Sequence, residues 1–144
     1  MFAPAMFRLE RPVRFADVDA ARIVFFARHL EYCHDALEAL FNQLPGGYAG
    51  LTMERDVGVP SVHVEIDYKA PLRYGDVALI DVHVEKIGSK SVIFRHEISR
   101  GRDGAPCATV RQVVVTARLT ELGAVPIPDD VRALLEAQLE APRV

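Results

Sequence analysis

Residues 28–44 carry apolar side chains at Leu30, Cys33, Leu37, Leu40, Phe41 and Leu44. Steps of three and four residues place all of them on one stripe of an α-helix. Seventeen residues at 1.5 Å each reach roughly 25 Å. In a chain of 144 residues, a stripe that long needs a sheet to lie on. Pro45-Gly46-Gly47 ends the helix.

Strand patterns lie on both sides of it. Phe7, Leu9, Val13 and Phe15 alternate with charged residues, and Pro12 puts this strand or its bulge near a sheet edge. Val62, Val64, Ile66 and Tyr68 alternate with His63, Glu65, Asp67 and Lys69, the cleanest strand in the chain. Val77–Ile87 and Ser91–Arg100 follow, joined through Gly88-Ser89. Gly101–Gly104 reads as a hairpin loop, and Cys107–Leu119 is rich in valine. A second helix starts near Pro128, with Asp129 and Asp130 suited to its N-terminal dipole and Val131, Leu134, Leu135 and Leu139 as its stripe. The order is β, long α, four β, short α. Short connections predict an antiparallel meander for the last four strands. The fold class is α+β, and no repeat or linker divides residues 1–144, so one domain is expected.

Half the residues are hydrophobic and 26% are charged, which excludes disorder for most of the chain. A net charge of -3 gives no bulk attraction to nucleic acid or an anionic membrane. No apolar run approaches the roughly 20 residues that span a bilayer, and Met1–Arg8 does not read as a secretory signal. Cys33 and Cys107 do not make a disulfide framework, so a cytoplasmic protein with reduced thiols is expected. Histidines 29, 34, 63, 83 and 96 show no metal-binding spacing. There is no phosphate loop and no nucleophile-elbow serine.

The segment before the long helix is the best candidate site. Asp17 and Asp19 sit between a strand end and a helix start, followed by Ile23, Val24, Phe25 and Phe26. Free N–H groups at a helix start can stabilise an oxyanion, and a carboxylate beside them can attack a carbonyl or activate water. The same two aspartates could simply brace a turn.

The stretch Val13-Arg14-Phe15-Ala16-Asp17-Val18-Asp19-Ala20-Ala21-Arg22-Ile23-Val24-Phe25-Phe26 resembles the signature of hotdog-fold acyl-CoA thioesterases. The branch is the one containing 4-hydroxybenzoyl-CoA and 1,4-dihydroxy-2-naphthoyl-CoA thioesterases. The resemblance continues through His29–Phe41, Gly58–Val62, Tyr68, Pro71, Gly75-Asp76 and Lys90-Ser91, covering roughly residues 8–118. It implies a hotdog fold, an antiparallel sheet wrapped around one long central helix. It implies that Asp19 is catalytic, Asp17 structural, and the Phe26 backbone N–H the group that polarises the thioester carbonyl. By the same likeness Lys90 meets coenzyme A, Val59, Pro60 and Ser61 line the pantetheine and acyl path, and His34 reads a phenolic oxygen. No metal or redox cofactor is implied; coenzyme A enters as part of the substrate. The family forms homo-oligomers, often tetramers, with sites between protomers.

Two positions depart from the pattern. Arg22 stands where the family has glycine, and Arg28 where asparagine is common. Arg22 could narrow the pocket or meet an acidic substrate group, and the two cations together could favour a carboxylate-bearing acyl group, but Arg22 could equally point to solvent. Arg100, Arg102, Arg111 and Arg118 could form a local basic site for coenzyme A phosphates. The expected activity is hydrolysis of an aromatic, hydroxybenzoyl-like acyl-CoA. A short-chain acyl-CoA or acyl-carrier-protein thioesterase, or a non-catalytic acyl-CoA-binding module, are the alternatives. Neither nucleic acid nor membrane is an expected partner.

Overall fold

A computed structural model describes residues 7–139 of the chain. The reading of the N-terminal segment falls mainly on residues 1–6 and lies outside the described residues. The elements run β1 (Phe7–Pro12), α1 (Arg28–Phe41), α2 (Gly47–Ala49), β2 (Val57–Gly58), β3 (Ser61–Tyr68), β4 (Val77–Ile87), β5 (Ser91–Arg100), β6 (Pro106–Val115), β7 (Ala117–Arg118), β8 (Gly123–Ala124) and α3 (Asp129–Glu136). Phe15–Asp17 forms one 3-10 turn, and residues Gly50–Glu54 continue α2 as a π-helical turn.

Five strands make one antiparallel sheet in the order β1-β4-β5-β6-β3. Pro12 lies on an edge strand, where its missing N–H costs no ladder bond. The expected four-strand meander holds only for β4-β5-β6. β3 pairs with β6 instead of β4 and forms the far edge. The reason is visible in the connector. Lys69 and Ala70 extend the β3 ladder by donating to the carbonyls of Cys107 and Pro106, and the Arg100 guanidinium holds the Pro71 carbonyl at 2.8 Å. The chain therefore crosses the ends of the β5–β6 hairpin before entering β4.

α1 is shorter than the sequence stripe. Leu44 is buried but lies past the helix, where Gln43 and Leu44 donate to Leu40 and Phe41 in tightened turns. Gly46 and Gly47 follow at φ +79° and +68°, a conformation glycine takes without a Cβ penalty. His29, Tyr32, Cys33, Ala36, Leu37, Leu40 and Phe41 are buried along α1. They pack on the sheet face carrying Ile80, Val82, Val84, Phe94, Ile98, Val110 and Val114. α3 adds Val131 and Leu135 to the same core.

The valine-rich segment is broken at Thr116, whose N–H meets the Lys90 carbonyl and whose hydroxyl donates to the Val125 carbonyl. The chain after the break, β7, joins β2 and β8 in a small three-stranded sheet that the sequence pattern did not predict. No helix among the described residues is long and apolar enough to cross a membrane.

Candidate active site

The loop between β1 and α1 is fixed by its own backbone. Asp17 accepts the Arg14 N–H at 3.0 Å and the Tyr32 hydroxyl at 2.8 Å. Burial raises the cost of its charge. The Arg14 N–H, the Tyr32 hydroxyl and the charges of Arg11 and Arg28 outweigh that cost, holding the carboxyl below the usual carboxylate range. Arg11 lies 4.6 Å from the centre of the Tyr32 ring and pairs with Asp35, tying α1 to β1. Asp17 is thus a buried brace.

Asp19 is exposed. Its N–H donates to the Ile23 carbonyl, its carbonyl accepts the Arg22 N–H, and Val18 bridges to Val24. Its Oδ1 accepts the Ala21 N–H at 2.8 Å. Among the described residues no donor meets its Oδ2. Arg22 closes this turn at φ +67°, which explains why the family pattern has glycine there. Its side chain is exposed and does not line the cleft beside Asp19. Arg28 is held by Glu31 at 2.8 Å on the outside of α1.

That cleft has a volume of about 540 Å³. Ile23, Val24, Phe25, Phe26, Pro71 and Leu72 form its apolar walls, and Asp19, His29, Tyr68 and Lys69 are its polar groups. The Phe26 carbonyl accepts the Tyr68 hydroxyl at 2.7 Å and lies 3.1 Å from His29 Nδ1. Burial pushes His29 below its usual pKa, against the opposing pull of the Phe26 and Phe25 carbonyls. The ring is therefore neutral near pH 7, with the proton on Nδ1 facing the carbonyl. Among the described residues no acceptor meets the Phe26 N–H. Asp19 and Phe26, at the entrance of α1, thus line the same apolar cleft.

The remaining sequence-predicted residues lie elsewhere. His34, Val59, Pro60 and Ser61 line a second cleft of about 350 Å³, with Leu37, Tyr48, Thr52, Gln112 and Leu119 among its other walls. His34, Ser61 and Gln112 also line a smaller cleft of about 200 Å³ beside Leu30 and Cys33. Within one protomer the structure does not join these clefts to the one beside Asp19. Lys90 is exposed in the β4–β5 turn and lines none of the three.

Three of the four arginines expected to form a basic site are engaged by carboxylates: Arg100 by Asp103, Arg102 by Asp76 and Arg111 by Glu85. The Arg118 guanidinium reaches the Arg55 carbonyl. Sequence reasoning missed Tyr68, His29 and Gln112. Tyr68 and Phe26 are separated by 42 positions, so nothing local links them. Gln112 did leave a signal. It is a lone polar residue in step with buried Val110 and Val114.

Residues 13–135 match the family described as the thioesterase-like superfamily. The chain belongs to that superfamily. A 1,4-dihydroxy-2-naphthoyl-CoA hydrolase of Synechococcus sp. (strain CC9605) is 31% identical over 137 residues, covering 90% of this chain and 89% of its own. The crystal structure of a 1,4-dihydroxy-2-naphthoyl-CoA thioesterase from Synechocystis superposes with a TM-score of 0.81 at 27% identity, covering 91% of this chain and 96% of that one. A gentisyl-coenzyme A thioesterase superposes with a TM-score of 0.76 at 25% identity, covering 91% of this chain and 99% of that one. As a member of this superfamily the chain is a thioester hydrolase with the hotdog fold.

Proposed function

We propose that this chain hydrolyses an aromatic acyl-CoA and that Asp19 carries the reaction. The observation that supports this most is that Asp19, with its Oδ2 open, and Phe26, with its N–H unused, line one apolar cleft. A thioester carbonyl docked at the Phe26 N–H would gain its negative charge in the transition state against that donor. Asp19 then acts in one of two ways. It attacks the carbonyl, giving a mixed anhydride that water opens, or it takes a proton from water as the water attacks. Both routes add water across the acyl–sulfur bond and release the carboxylic acid and the thiol of coenzyme A. Neither needs a metal or a redox cofactor. Tyr68 and His29 hold the Phe26 carbonyl, in the peptide that follows the donor, and so position residue 26.

The aromatic substrate class draws on the names of the relatives and on the second cleft. There His34, Ser61 and Gln112 stand among apolar walls, the mixture that suits an oxygen-bearing ring. Val59 and Pro60 would wall the acyl and pantetheine path. Lys90, exposed in the β4–β5 turn, would meet a phosphate of coenzyme A.

We infer that the working form is a homo-oligomer, a dimer or a dimer of dimers. β3 is an edge strand with no partner on its outer side among the described residues, and it exposes Val62 (60%), Val64 (40%) and Tyr68 (46%). Pairing two copies along β3 would cover this face, set α1 as the central helix of the wrap, and bring the Asp19 cleft of one protomer toward the His34 cleft of its partner. The chemistry and two free cysteines fit a cytoplasmic setting. Thiol release should be measured with 4-hydroxybenzoyl, benzoyl, 1,4-dihydroxy-2-naphthoyl, and short and long aliphatic CoA thioesters. Preference for the aryl thioesters is the expected result. Aliphatic preference would overturn the substrate class, and tight binding with no turnover would overturn the role of Asp19.

A further inference from the structure

On the inner face of the sheet one polar chain interrupts the hydrophobic packing. His96 is fully buried on β5, stacked against Phe94, with Nε2 2.8 Å from Gln112 Oε1. Gln112 Nε2 in turn donates to Ser61 Oγ at 2.6 Å. His96 Nδ1 is buried with no hydrogen-bond partner. A neutral imidazole carries one proton. Placed on Nε2, the proton is donated to the Gln112 carbonyl and only a bare lone pair is left on Nδ1. Placed on Nδ1, it would leave a buried N–H unsatisfied, the rarer and costlier outcome. Burial also pushes His96 down to about 4, so it is neutral near pH 7.

The Gln112 amide is thereby locked with its oxygen inward and its nitrogen toward the clefts. One amide hydrogen goes to Ser61. The other has no acceptor among the described residues. Ser61 reaches this position through an irregularity: the β3–β6 register shifts between Ser61 and His63. Plain alternation from Val64 would send Ser61 to the outer face, and the bulge turns it inward. Both clefts that contain His34 contain Gln112 and Ser61 as well.

We propose that Gln112 is a specificity-determining residue that donates a hydrogen bond to an oxygen substituent of the acyl group, and that His96 is the positioning residue that fixes its amide. The proposal rests on the aryl-CoA reading above. A purely structural role for the chain would not need the outward nitrogen, and an apolar pair would pack the sheet without stranding Nδ1.

The test compares kcat/KM for 2-, 3- and 4-hydroxybenzoyl-CoA with kcat/KM for benzoyl-CoA. The native chain should favour at least one hydroxylated ring by roughly tenfold, the worth of one hydrogen bond in a desolvated pocket. Gln112→Met should abolish that preference, lowering kcat/KM for the favoured hydroxylated ring about tenfold more than kcat/KM for benzoyl-CoA, with the difference carried by KM. His96→Leu should weaken the same preference. Added to Gln112→Met it should do nothing further, because its effect passes through the glutamine. Should His96→Leu fail to fold, Gln112→Met alone decides the glutamine's role, and His96→Asn tests the lock with a smaller side chain. Native preference that survives Gln112→Met overturns the proposal and leaves the aryl-CoA reading standing. Equal native rates on all four rings do the same. Failure of the native chain on every aryl thioester overturns both.

Discussion

Asp17 is buried and its Oδ2 accepts both the Arg14 N–H and the Tyr32 hydroxyl, whereas Asp19 is exposed and its carboxylate accepts the Ala21 N–H alone among the described residues. Spacing alone could not separate the two. What separates them is Tyr32, fifteen positions from Asp17 and invisible as its partner until α1 is docked. Tyr32→Phe should cost about 1.5–3 kcal/mol of stability, the range for a hydrogen bond to a charged group, read as a lower denaturant midpoint with an unchanged slope. Arg22 was legible as a departure from a glycine position, and its φ of +67° gives the reason. Arg22→Gly should relieve left-handed strain of roughly 1–2 kcal/mol. Part of that is returned to the freer unfolded chain, so a gain of up to about 1 kcal/mol is expected in the same measurement. Tyr68→Phe removes one of two donors on the Phe26 carbonyl. It should lower kcat several-fold with little change in stability, since Tyr68 is half-exposed; an unchanged kcat would remove it from the positioning role.

The elements themselves were largely readable, because alternation and helical spacing are local properties. β4 and β5 lie where the pattern put them, and α3 starts one residue after Pro128. The partner of β3 was not readable. Eight connecting residues, 69–76, allow either neighbour, and the choice is made by contacts with Cys107, Pro106 and Arg100 far along the chain. Nor did alternation show that the apolar side of β3 would stay uncovered in the protomer. Val62→Lys should therefore leave the protomer folded while shifting the assembly toward monomer in sedimentation velocity. An unchanged assembly would exclude β3 as the pairing edge.

At the scale of the whole molecule, the sheet and α1 enclose one core, and His96 is buried within it. Its folded pKa is depressed to about 4 from an ordinary 6.5. Above pH 6.5 the folded and unfolded chains bind the same number of protons there. As pH falls from about 6.5 toward 4, the unfolded chain takes up a proton that the folded chain refuses, so stability is lost. The loss should approach about 3 kcal/mol, seen as a falling melting temperature, and His96→Leu should flatten that part of the profile. The two halves of the proposed site were both legible as residues, but their separation into different clefts was not, because it depends on how α1 lies across the sheet.

The claim on which the rest depends is that Asp19 performs the chemistry from the entrance of α1. It is tested most directly by thiol release from the preferred acyl-CoA in the native chain and in Asp19→Asn, with thermal unfolding of both recorded alongside. The expected result is a fall in kcat of at least about a hundredfold with the melting temperature retained. An Asp19→Asn chain that turns over the thioester at the native rate would contradict it.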